Sequence, residues 1–351
     1  MRVAIEATPL TLTSGGLARY TRELAAALAE VFTEDRYLLV SDQPFSGPVL
    51  TNLTCRPGPR RGLARRWWTW GLPLELARTG AEVFHGPDFS VPYLPVRPSV
   101  MTVHDLSPWL DAGWQSREGR VRRRTPLLLQ LGLATMILTD SAVVRAQVTE
   151  FFRVPATRVV AVPLAAHLRF RPVPRPESER AYFLFAGTLE PRKNLAMLIE
   201  AWRPLRDRVN LVLAGRQRAD SPRISPEPGL RLLGEVPDED LPGLYSGALA
   251  FVYPSLYEGF GLPVLEAMQC GACVLTSRDP AIAEVAGDAA LRLDARDRRA
   301  WTEALLACAS GGDFVERLRE KAVRRASEFS WTRTARLTRD VYVEAMQRFQ
   351  R

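Results

Sequence analysis

Two carboxylates separated by glycines offer the clearest chemistry in this sequence of 351 residues. Glu258 and Glu266 lie eight positions apart in the segment YEGFGLPVLEAM. Gly259, Gly261 and Pro263 exclude a continuous helix through the first half of that segment. Pro263 is instead typical of the first turn of a helix, so the spacing predicts Glu258 in a loop and Glu266 in the first helical turn.

A glycine-rich loop of this kind suits an anionic ligand. Glycine lets backbone N–H groups approach a ligand closely, and the N-terminus of the following helix adds donors and partial positive charge. Phosphate fits those donors, whereas the two carboxylates suit sugar hydroxyls on either side of it. By itself, such a turn is weak support for a phosphate site.

A second loop carries two adjacent cations. Arg192 and Lys193 lie in GTLEPRKN, directly after the apolar run YFLFA, and therefore at the C-terminal end of another predicted strand. Adjacent cations are usually surface residues, but beside an anion-binding turn they can neutralise a leaving diphosphate. The residues alone thus indicate a protein that binds a phosphorylated, sugar-like ligand between two α/β domains.

The elements that would position these residues are short apolar runs alternating with helical or loop stretches, as in parallel sheets covered by helices. The predicted strands are residues 2–6, 37–40, 82–84, 99–103, 136–139, 159–162, 182–186, 209–214, 230–233, 249–253 and 273–276. The predicted helices begin at Leu17, with an apolar stripe of helical period, and at Pro263, or cover residues 194–202, 238–246, 314–328 and 331–350.

A proline-rich segment divides the chain into two halves. Residues 172–179, PVPRPESE, contain three prolines and little to bury, and we assign the linker to residues 172–180. The predicted domains are residues 1–171 and residues 181–330. Two consecutive α/β halves imply a cleft between them, with the C-terminal ends of the strands facing it.

Composition excludes several classes of protein. The apolar content of 46% and the charged content of 25% are ordinary for a globular chain. Four cysteines are too few for a disulfide framework, and Cys270-Gly-Ala-Cys273 lacks the second cluster of a zinc or redox site. The longest apolar run is too short to span a bilayer, and Glu6 interrupts any signal peptide, so the sequence predicts a cytoplasmic protein.

The segments that carry these residues resemble the retaining glycosyltransferase family 4. The matching segments are GTLEPRKN, LVLAG, YPSLYEGFGLPVLEAMQCG, PAIAEVAGDAALRLD, SGGLARYTREL, VFHGPDF and TVHDL, which cover nearly the whole chain. The resemblance implies an α/β GT-B fold, with two Rossmann-like domains facing each other across a cleft. It implies an acceptor-binding first domain, a nucleotide-sugar-binding second domain, and a helix at residues 331–351 that packs back on the first.

The same resemblance implies roles for individual residues. In the second domain, Glu258 and the backbone of Gly259, Phe260, Gly261 and Leu262 would hold the 3- and 4-hydroxyls of the donor sugar. Glu266 would bind the ribose hydroxyls, Lys193 and Arg192 the diphosphate, and Val236 the nucleobase. In the first domain, the backbone of Gly15 and Gly16 would contact the phosphates, and His104 would lie beside the donor sugar near the acceptor. The residues implied in catalysis are Glu258, His104 and Lys193.

Two positions depart from the family pattern. Thr188 stands where many members have arginine, which places more of the phosphate charge on Arg192. Cys273 stands where the family more often has proline, which argues against a redox role.

The resemblance implies an enzyme that needs neither a metal nor a cofactor, with a nucleoside diphosphate sugar as its donor substrate. Asp238-Glu-Asp240 is similar to the D-x-D motif of metal-dependent sugar transferases. Because it precedes a predicted helix, we interpret it as an N-cap with acids in the first helical turn.

The net charge of +8 lies entirely in the first half, where residues 1–175 contain 22 arginines against 14 acidic residues. One arginine cluster adjoins tryptophans and comprises Arg56, Arg60, Arg61, Arg65, Arg66, Trp67, Trp68 and Trp70; a second comprises Arg117, Arg120, Arg122, Arg123 and Arg124. Arginine beside tryptophan is typical of a surface that contacts an anionic membrane, which would make the protein peripheral on the inner membrane face. A solvated loop and a site for an anionic acceptor are the alternatives. No nucleic-acid-binding module accompanies the charge, so we expect no nucleic-acid partner.

The resemblance implies a reaction that moves a hexose, mannose or glucose, from GDP-mannose or UDP-glucose to a hydroxyl of a glycan or lipid-linked glycan, with retention of configuration. The favoured mechanism is a front-face reaction in which the departing phosphate takes the acceptor proton; a two-carboxylate mechanism is the alternative. The alternative functions are another GT-B enzyme, such as an epimerase or phosphorylase, and a non-catalytic, membrane-associated sugar-nucleotide-binding protein. The resemblance of GTLEPRKN to transferases that often use GDP-mannose favours that donor over UDP-glucose, although no residue distinguishes guanine from uracil.

Overall fold

The computed structural model describes residues 1–12, 15–56, 66–111, 113–114, 119–174, 180–219, 221 and 223–349. These residues form two compact units. The N-terminal unit comprises Met1–Trp109, Glu118–Leu164 and Ser330–Arg351, and the C-terminal unit comprises Leu110–Arg117 and Ala165–Phe329. Of the predicted linker, residues 175–179 lie outside the described part of the chain.

The N-terminal unit is built on a parallel sheet. Its strands are β1 (Arg2–Glu6), β2 (Arg36–Val40), β3 (Leu53–Arg56), β4 (Val83–Gly86), β5 (Ser99–Val103), β6 (Met136–Thr139) and β7 (Val159–Ala161). Their order across the sheet is β3-β2-β1-β4-β5-β6-β7, and Val3 of β1 lies opposite Tyr37 of β2 and Val83 of β4. The strand order reverses between β1 and β4, and in open α/β sheets ligands bind at the strand ends beside such a reversal.

The helices of the N-terminal unit are α1 (Gly16–Val31), α2 (Leu72–Thr79), α3 (Ser107–Leu110), α4 (Arg120–Gln130), α5 (Ala142–Phe152) and α12 (Trp331–Phe349). α12 packs against α1 and also contacts β4, β5 and β6. Its buried side chains recur at helical spacing from Thr334 to Ala345. The hydroxyl of Tyr342 lies 2.7 Å from Nδ1 of the fully buried His85, whose Nε2 lies 2.8 Å from Oγ1 of Thr102.

The C-terminal unit repeats the same strand order. Its strands are β8 (Tyr182–Ala186), β9 (Asn210–Ala214), β10 (Leu230–Gly234), β11 (Ala250–Tyr253), β12 (Val274–Ser277) and β13 (Leu291–Leu293). They pair in parallel in the order β10-β9-β8-β11-β12-β13, so the reversal falls between β8 and β11. Its helices are α6 (Leu195–Trp202), α7 (Leu241–Gly247), α8 (Leu262–Gln269), α9 (Pro280–Ala286), α10 (Arg298–Ser310) and α11 (Asp313–Ala326).

The predicted α/β alternation is confirmed in both units, and two elements at sheet edges were not predicted. β3 and β13 have only four and three residues, and each adds the last strand on one side of its sheet. The helix predicted from residue 238 begins at Leu241, so the acids at 238–240 precede its first turn instead of lying in it. Pro242 in the first turn fixes that later start.

The two arginine clusters fall only partly within the described chain. Arg60, Arg61, Arg65 and Arg117 lie outside it. Trp67, interpreted as a surface residue, is buried, because the five-residue π-helical segment Trp67–Gly71 turns that ring inwards. Trp70 remains half exposed, and the guanidinium of Arg124 lies over the ring of Trp68 at 5.3 Å.

Candidate active site

Two loops meet where the strand order of the C-terminal unit reverses. One follows β8 and carries Arg192 and Lys193; the other follows β11 and carries Glu258. β8 and β11 are paired neighbours, and the N–H of Leu256 donates to the carbonyl of Arg192 at 2.8 Å, which joins the two loops. Sheet topology therefore brings Arg192 and Lys193 together with Glu258, which lies more than sixty positions later in the sequence.

Glu258 binds one cation with each carboxylate oxygen. Nζ of Lys193 lies 2.5 Å from Oε1, and a terminal nitrogen of Arg192 lies 2.9 Å from Oε2. Lys193 also donates to the hydroxyl of Tyr253 at 2.6 Å, and Arg192 to the carbonyl of Tyr257 at 2.8 Å. The side chains of Lys193 and Glu258 are only 6% and 7% exposed, so these bonds form in a largely water-excluded place.

The two neighbouring cations keep Glu258 ionised. Burial alone would raise the pKa of Glu258, but Arg192 and Lys193 outweigh it and lower that pKa to about 2. Burial and the neighbouring Arg192 lower the pKa of Lys193 against the opposing effect of Glu258. Glu258 is therefore a carboxylate held between two cations at neutral pH.

A second carboxylate extends the cluster and was not predicted. Oε1 of Glu190 lies 2.8 Å from Nε of Arg192, and Oε2 lies 2.9 Å from a terminal nitrogen of Arg218. We call Glu190, Arg192, Lys193, Arg218 and Glu258 the cation cluster. Because nearly all the cationic residues of the chain are arginines, the sequence alone does not distinguish Arg218 from the others.

Glu266 lies one residue deeper in its helix than the sequence suggested. α8 begins at Leu262, because Gly261 at φ 96° provides the cap in the left-handed region, and Pro263 is in the first turn as predicted. Glu266 is therefore the fifth residue of α8 and not part of its first turn. It is 1% exposed, and the hydroxyl of Tyr245 donates to its Oε2 at 3.1 Å.

Asp279, in the connection between β12 and α9, holds the loop before α8 in place. The N–H of Glu258 donates to Oδ2 of Asp279 at 3.2 Å, and Oδ1 of Asp279 caps α9 by accepting from Ile282 N–H at 3.0 Å. Burial raises the pKa of Asp279 to about 6. Asp279 was not predicted, although Asp before Pro280 is a helix-start signal.

The other predicted site residues of the C-terminal unit lie either at the start of α8 or after the edge strand β10. Gly259 and Leu262 belong to the loop and start of α8, where Phe260 is buried with its ring 6.0 Å from that of Phe329. Val236 follows the edge strand β10, two strands away from β8.

The predicted residues of the N-terminal unit lie at the C-terminal ends of its strands and at the start of α1. Gly15 caps α1 at φ 110° and Gly16 is its first residue, and a Cβ at either would meet no atom within 4 Å. Ser14 lies outside the described residues. Their backbone is thus open to a ligand, and the phosphate-binding role stays a prediction.

His104, after β5, is bound at both ring nitrogens. Nε2 lies 2.7 Å from the carbonyl oxygen of Pro87, which can only accept, and Nδ1 lies 2.7 Å from Oδ2 of Asp140, after β6. Although burial alone would lower it, Asp140 raises the pKa of His104 to about 9. His104 is therefore an imidazolium at neutral pH, a state suited to electrostatic stabilisation and not to accepting a proton.

Glu6, the last residue of β1, is a buried acid beside the reversal of the first sheet. Burial raises the pKa of Glu6 to about 8, against hydrogen bonds from the N–H and hydroxyl of Thr8. Between these two values of pH, Glu6 is protonated in the folded chain and ionised in the unfolded chain, where its pKa is 4.5. Stability must fall as the pH rises from about 4.5 to about 8. Because glutamine does not titrate, we expect the Tm of Glu6→Gln to fall less between pH 5 and pH 9 than the Tm of the wild type.

Glu30→Gln, at an exposed position of α1, is the control and should keep the slope of the wild type. A Glu6→Gln variant whose Tm falls as steeply as that of the wild type would contradict the assignment.

The described residues show how the candidate metal ligands and the thiols are arranged. No group of three or more His, Cys, Asp or Glu side chains in this part of the chain is placed to hold a metal ion. All four cysteines are free thiols, and Cys273 forms its hydrogen bond with Cys308, not with Cys270. That bond and burial raise the pKa of Cys273 above its ordinary value.

Comparison with solved structures identifies the fold of this chain. Sucrose-phosphate synthase from Thermosynechococcus elongatus matches with a TM-score of 0.77, covering 98% of each chain at 17% identity. Anabaena Alr3699/HepE in complex with UDP-glucose matches with a TM-score of 0.73, covering 97% of this chain and 98% of that one at 15% identity. The fold is that of the GT-B glycosyltransferases, which confirms the fold that the resemblance implied.

Sequence comparison identifies the family. The family described as Glycosyl transferases group 1 matches residues 168–325, and Glycosyltransferase Family 4 matches residues 14–169. O-antigen chain mannosyltransferase B of Escherichia coli is 36% identical over 284 residues, which are 74% of this chain and 74% of that protein. The chain belongs to glycosyltransferase family 4 and is a glycosyltransferase, which confirms the resemblance.

Proposed function

We propose that this enzyme transfers mannose from GDP-mannose to a hydroxyl of a glycan or lipid-linked glycan, with retention of configuration, in the synthesis of a bacterial surface polysaccharide. The observation that carries the proposal is Glu258, held by Lys193 and Arg192 where β8 and β11 end. The arrangement puts two cations and a hydroxyl-binding carboxylate within one hydrogen bond of each other. A sugar joined to a diphosphate needs that combination.

The choice of mannose rests on the relative and not on the site. The Escherichia coli relative at 36% identity is an O-antigen chain mannosyltransferase, and this supports a mannosyl donor and an O-antigen-like acceptor. UDP-glucose is the alternative donor, since a structural neighbour was crystallised with it.

The charge state of Glu258 supports the front-face mechanism over attack by a carboxylate. Both oxygens of Glu258 are bound by cations, so it is suited to orient hydroxyls and poorly suited to attack an anomeric carbon. In the proposed reaction, the bond from the anomeric carbon to the diphosphate oxygen breaks, and the acceptor hydroxyl oxygen bonds to that carbon on the same face of the sugar. The departing phosphate takes the proton of that hydroxyl, and Lys193 and Arg192 stabilise the charge on the phosphate. His104, as a cation, would add to the stabilisation, and Glu266 would bind the ribose. No metal or cofactor has a role in this scheme.

We also propose that the enzyme acts in the cytoplasm at the inner membrane face, through α2, α4 and Trp67–Gly71. None of the described helices is long and apolar enough to cross a membrane. Apolar side chains on these elements are exposed, namely Trp70, Leu74 and Leu127, as is Leu131 directly after α4. Arg122 and Arg123 are exposed on α4. Apolar side chains beside cations match the chemistry of an anionic bilayer surface.

A donor panel tests the function. Titration with GDP-mannose, UDP-glucose, GDP and UDP should give binding to GDP-mannose and GDP. With a mannose oligosaccharide as acceptor, NMR of the product should show the anomeric configuration of the donor, and EDTA should leave the rate unchanged. The same preparation should sediment with vesicles of anionic phospholipid and not with neutral ones.

Each outcome decides a separate part. Binding of UDP-glucose alone overturns the mannosyl donor, an inverted product overturns the retaining mechanism, and loss of rate in EDTA overturns metal independence. Absence of binding by every nucleotide overturns the donor site itself. Failure to sediment with anionic vesicles overturns the membrane contact, and equal sedimentation with both vesicles overturns the preference for anionic lipid.

A further inference from the structure

The peptide unit that precedes the side chain of Glu258 is bound on both of its sides. Its carbonyl, from Tyr257, accepts from the guanidinium of Arg192 at 2.8 Å. Its N–H, from Glu258, donates to Oδ2 of Asp279 at 3.2 Å. A trans peptide is planar, with C=O and N–H on opposite sides, so two such bonds fix the orientation of the plane. They therefore restrict the direction in which the side chain of Glu258 leaves the backbone.

Asp279 is itself held in place by the connection between β12 and α9. Its N–H donates to Oγ of Ser277 at 3.4 Å, and its Oδ1 caps α9 by accepting from the N–H of Ile282 at 3.0 Å. Pro280, the first residue of α9, fixes its own φ. The side chain of Asp279 is buried, and because its pKa is raised only to about 6, both oxygens can only accept above pH 7.

The first turn of α9 also supports the far end of the same loop, residues 258–261, which we call the glycine loop. A Cβ at Gly261 would lie 3.4 Å from Cγ1 of Ile282, so no side chain separates this backbone from α9. The glycine loop is thus hydrogen-bonded to the cap of α9 at Glu258 and packed on its first turn at Gly261. The start of α9 is therefore the support on which the glycine loop rests.

We propose that Asp279 is a positioning residue for the donor sugar, because it orients Glu258 so that the carboxylate meets the sugar hydroxyls. This inference rests on the proposed function, which assigns those hydroxyls to Glu258. Asp279 accepts from the backbone N–H groups of Glu258 and Ile282, and neither is a cation assigned to the diphosphate. Loss of Asp279 should therefore weaken the binding of the sugar much more than that of the diphosphate.

Asp279→Ser separates the positioning of Glu258 from the capping of α9. Serine caps a helix about as well as aspartate does, but its single oxygen, on a shorter side chain, cannot also reach the N–H of Glu258. We expect GDP-mannose to bind about 10-fold more weakly, the effect of one hydrogen bond to a charged group, and GDP to stay within about twofold of wild type. Calorimetry above pH 7 measures both, with UDP-glucose and UDP as the pair if the donor panel selects them.

Asp279→Asn is a second variant, which keeps the size of the side chain. Its one amide oxygen can serve α9 or Glu258 but not both, so we expect the same difference between GDP-mannose and GDP. A wild-type ratio of the two affinities in both variants would overturn the proposal. An equal loss of both ligands would also overturn it, because that result is damage to the whole donor site.

Asp297 provides the matched control. It caps α10 as Asp279 caps α9, with Oδ1 accepting from the N–H of Ala300 at 3.0 Å, but it follows the edge strand β13, two strands from β11. Asp297→Ser should bind GDP-mannose and GDP as wild type does. The same change in their ratio as in Asp279→Ser would show that any altered cap has this effect, against the proposal.

Glu258→Gln distinguishes failure of this inference from failure of the proposed function. It should weaken GDP-mannose relative to GDP at least as much as Asp279→Ser does, because the carboxylate itself is lost. A wild-type ratio in Glu258→Gln would show that Glu258 does not bind the sugar, and both the proposed function and the role of Asp279 would fall. A changed ratio in Glu258→Gln with a wild-type ratio in Asp279→Ser would overturn the role of Asp279 alone.

Discussion

Replacing Lys193 with alanine is expected to lower kcat by about 10²–10³-fold while the protein stays folded. Nζ of Lys193 is one of the two cations bound to Glu258 and lies at the cluster assigned to the diphosphate. Its loss removes charge stabilisation of the departing phosphate, and the effect is large because the site is largely closed to water. Arg192 still pairs with Glu258, so the carboxylate is not left without a partner. Steady-state kinetics and a thermal melt of the same preparation measure both parts.

The chain provides a matched control for this substitution. Lys321 is the other of its two lysines, and it pairs with Asp288 at 2.6 Å on an exposed surface. Exposed ion pairs contribute little to the free energy of unfolding, so Lys321→Ala should have wild-type kcat and a nearly unchanged Tm. A Lys193→Ala enzyme with a near-normal rate would contradict the role given to Lys193.

Gly215→Ala is expected to cost more than about 3 kcal/mol of unfolding free energy. A Cβ at position 215 would lie 1.9 Å from the carbonyl oxygen of Gly187, a backbone atom that cannot rotate away. The residue also has φ 145°, a conformation that strains any side chain. Since these two glycines begin the paired loops after β8 and β9, separating them displaces the cation cluster as well. Urea denaturation measures the loss of stability, and nucleotide binding measures the displacement.

Gly243→Ala is the control for glycine replacement in the same unit. A Cβ there meets no atom within 4 Å, and position 243 lies inside α7. Alanine favours helix over glycine, so this variant should gain up to about 1 kcal/mol. Equal stability of Gly215→Ala and wild type would show that the two loops can separate without cost.

Periodicity and strand patterning were sufficient for two α/β halves with parallel sheets, because most buried strands read as short apolar runs; the GT-B fold came from the family resemblance. β3 and β13 were missed since edge strands bury less: Thr54, Arg56 and Arg292 are exposed. The start of α8 was predicted one residue late, because the left-handed conformation of Gly261 that caps it is not visible in residue types.

Within the site, the residues that were predicted from the sequence stand out locally: Glu258 lies beside glycines, and Lys193 is one of only two lysines. Arg218 and Glu190 carry no such pattern. Their pairing depends on how two loops continue the sheet beyond its strands, which is a property of register and not of composition.

The return of α12 to the first sheet has a consequence for the order of assembly during translation. The ribosome makes β1 to β7 first, yet the helix that covers His85 and packs on α1 emerges only after the whole C-terminal unit. The seven-stranded sheet therefore completes its core late, through contacts distant in sequence, which slow folding and leave apolar surface exposed meanwhile. A nascent chain that stalls within the second unit would display that unfinished core to chaperones, even though every strand of the first sheet has already been synthesised.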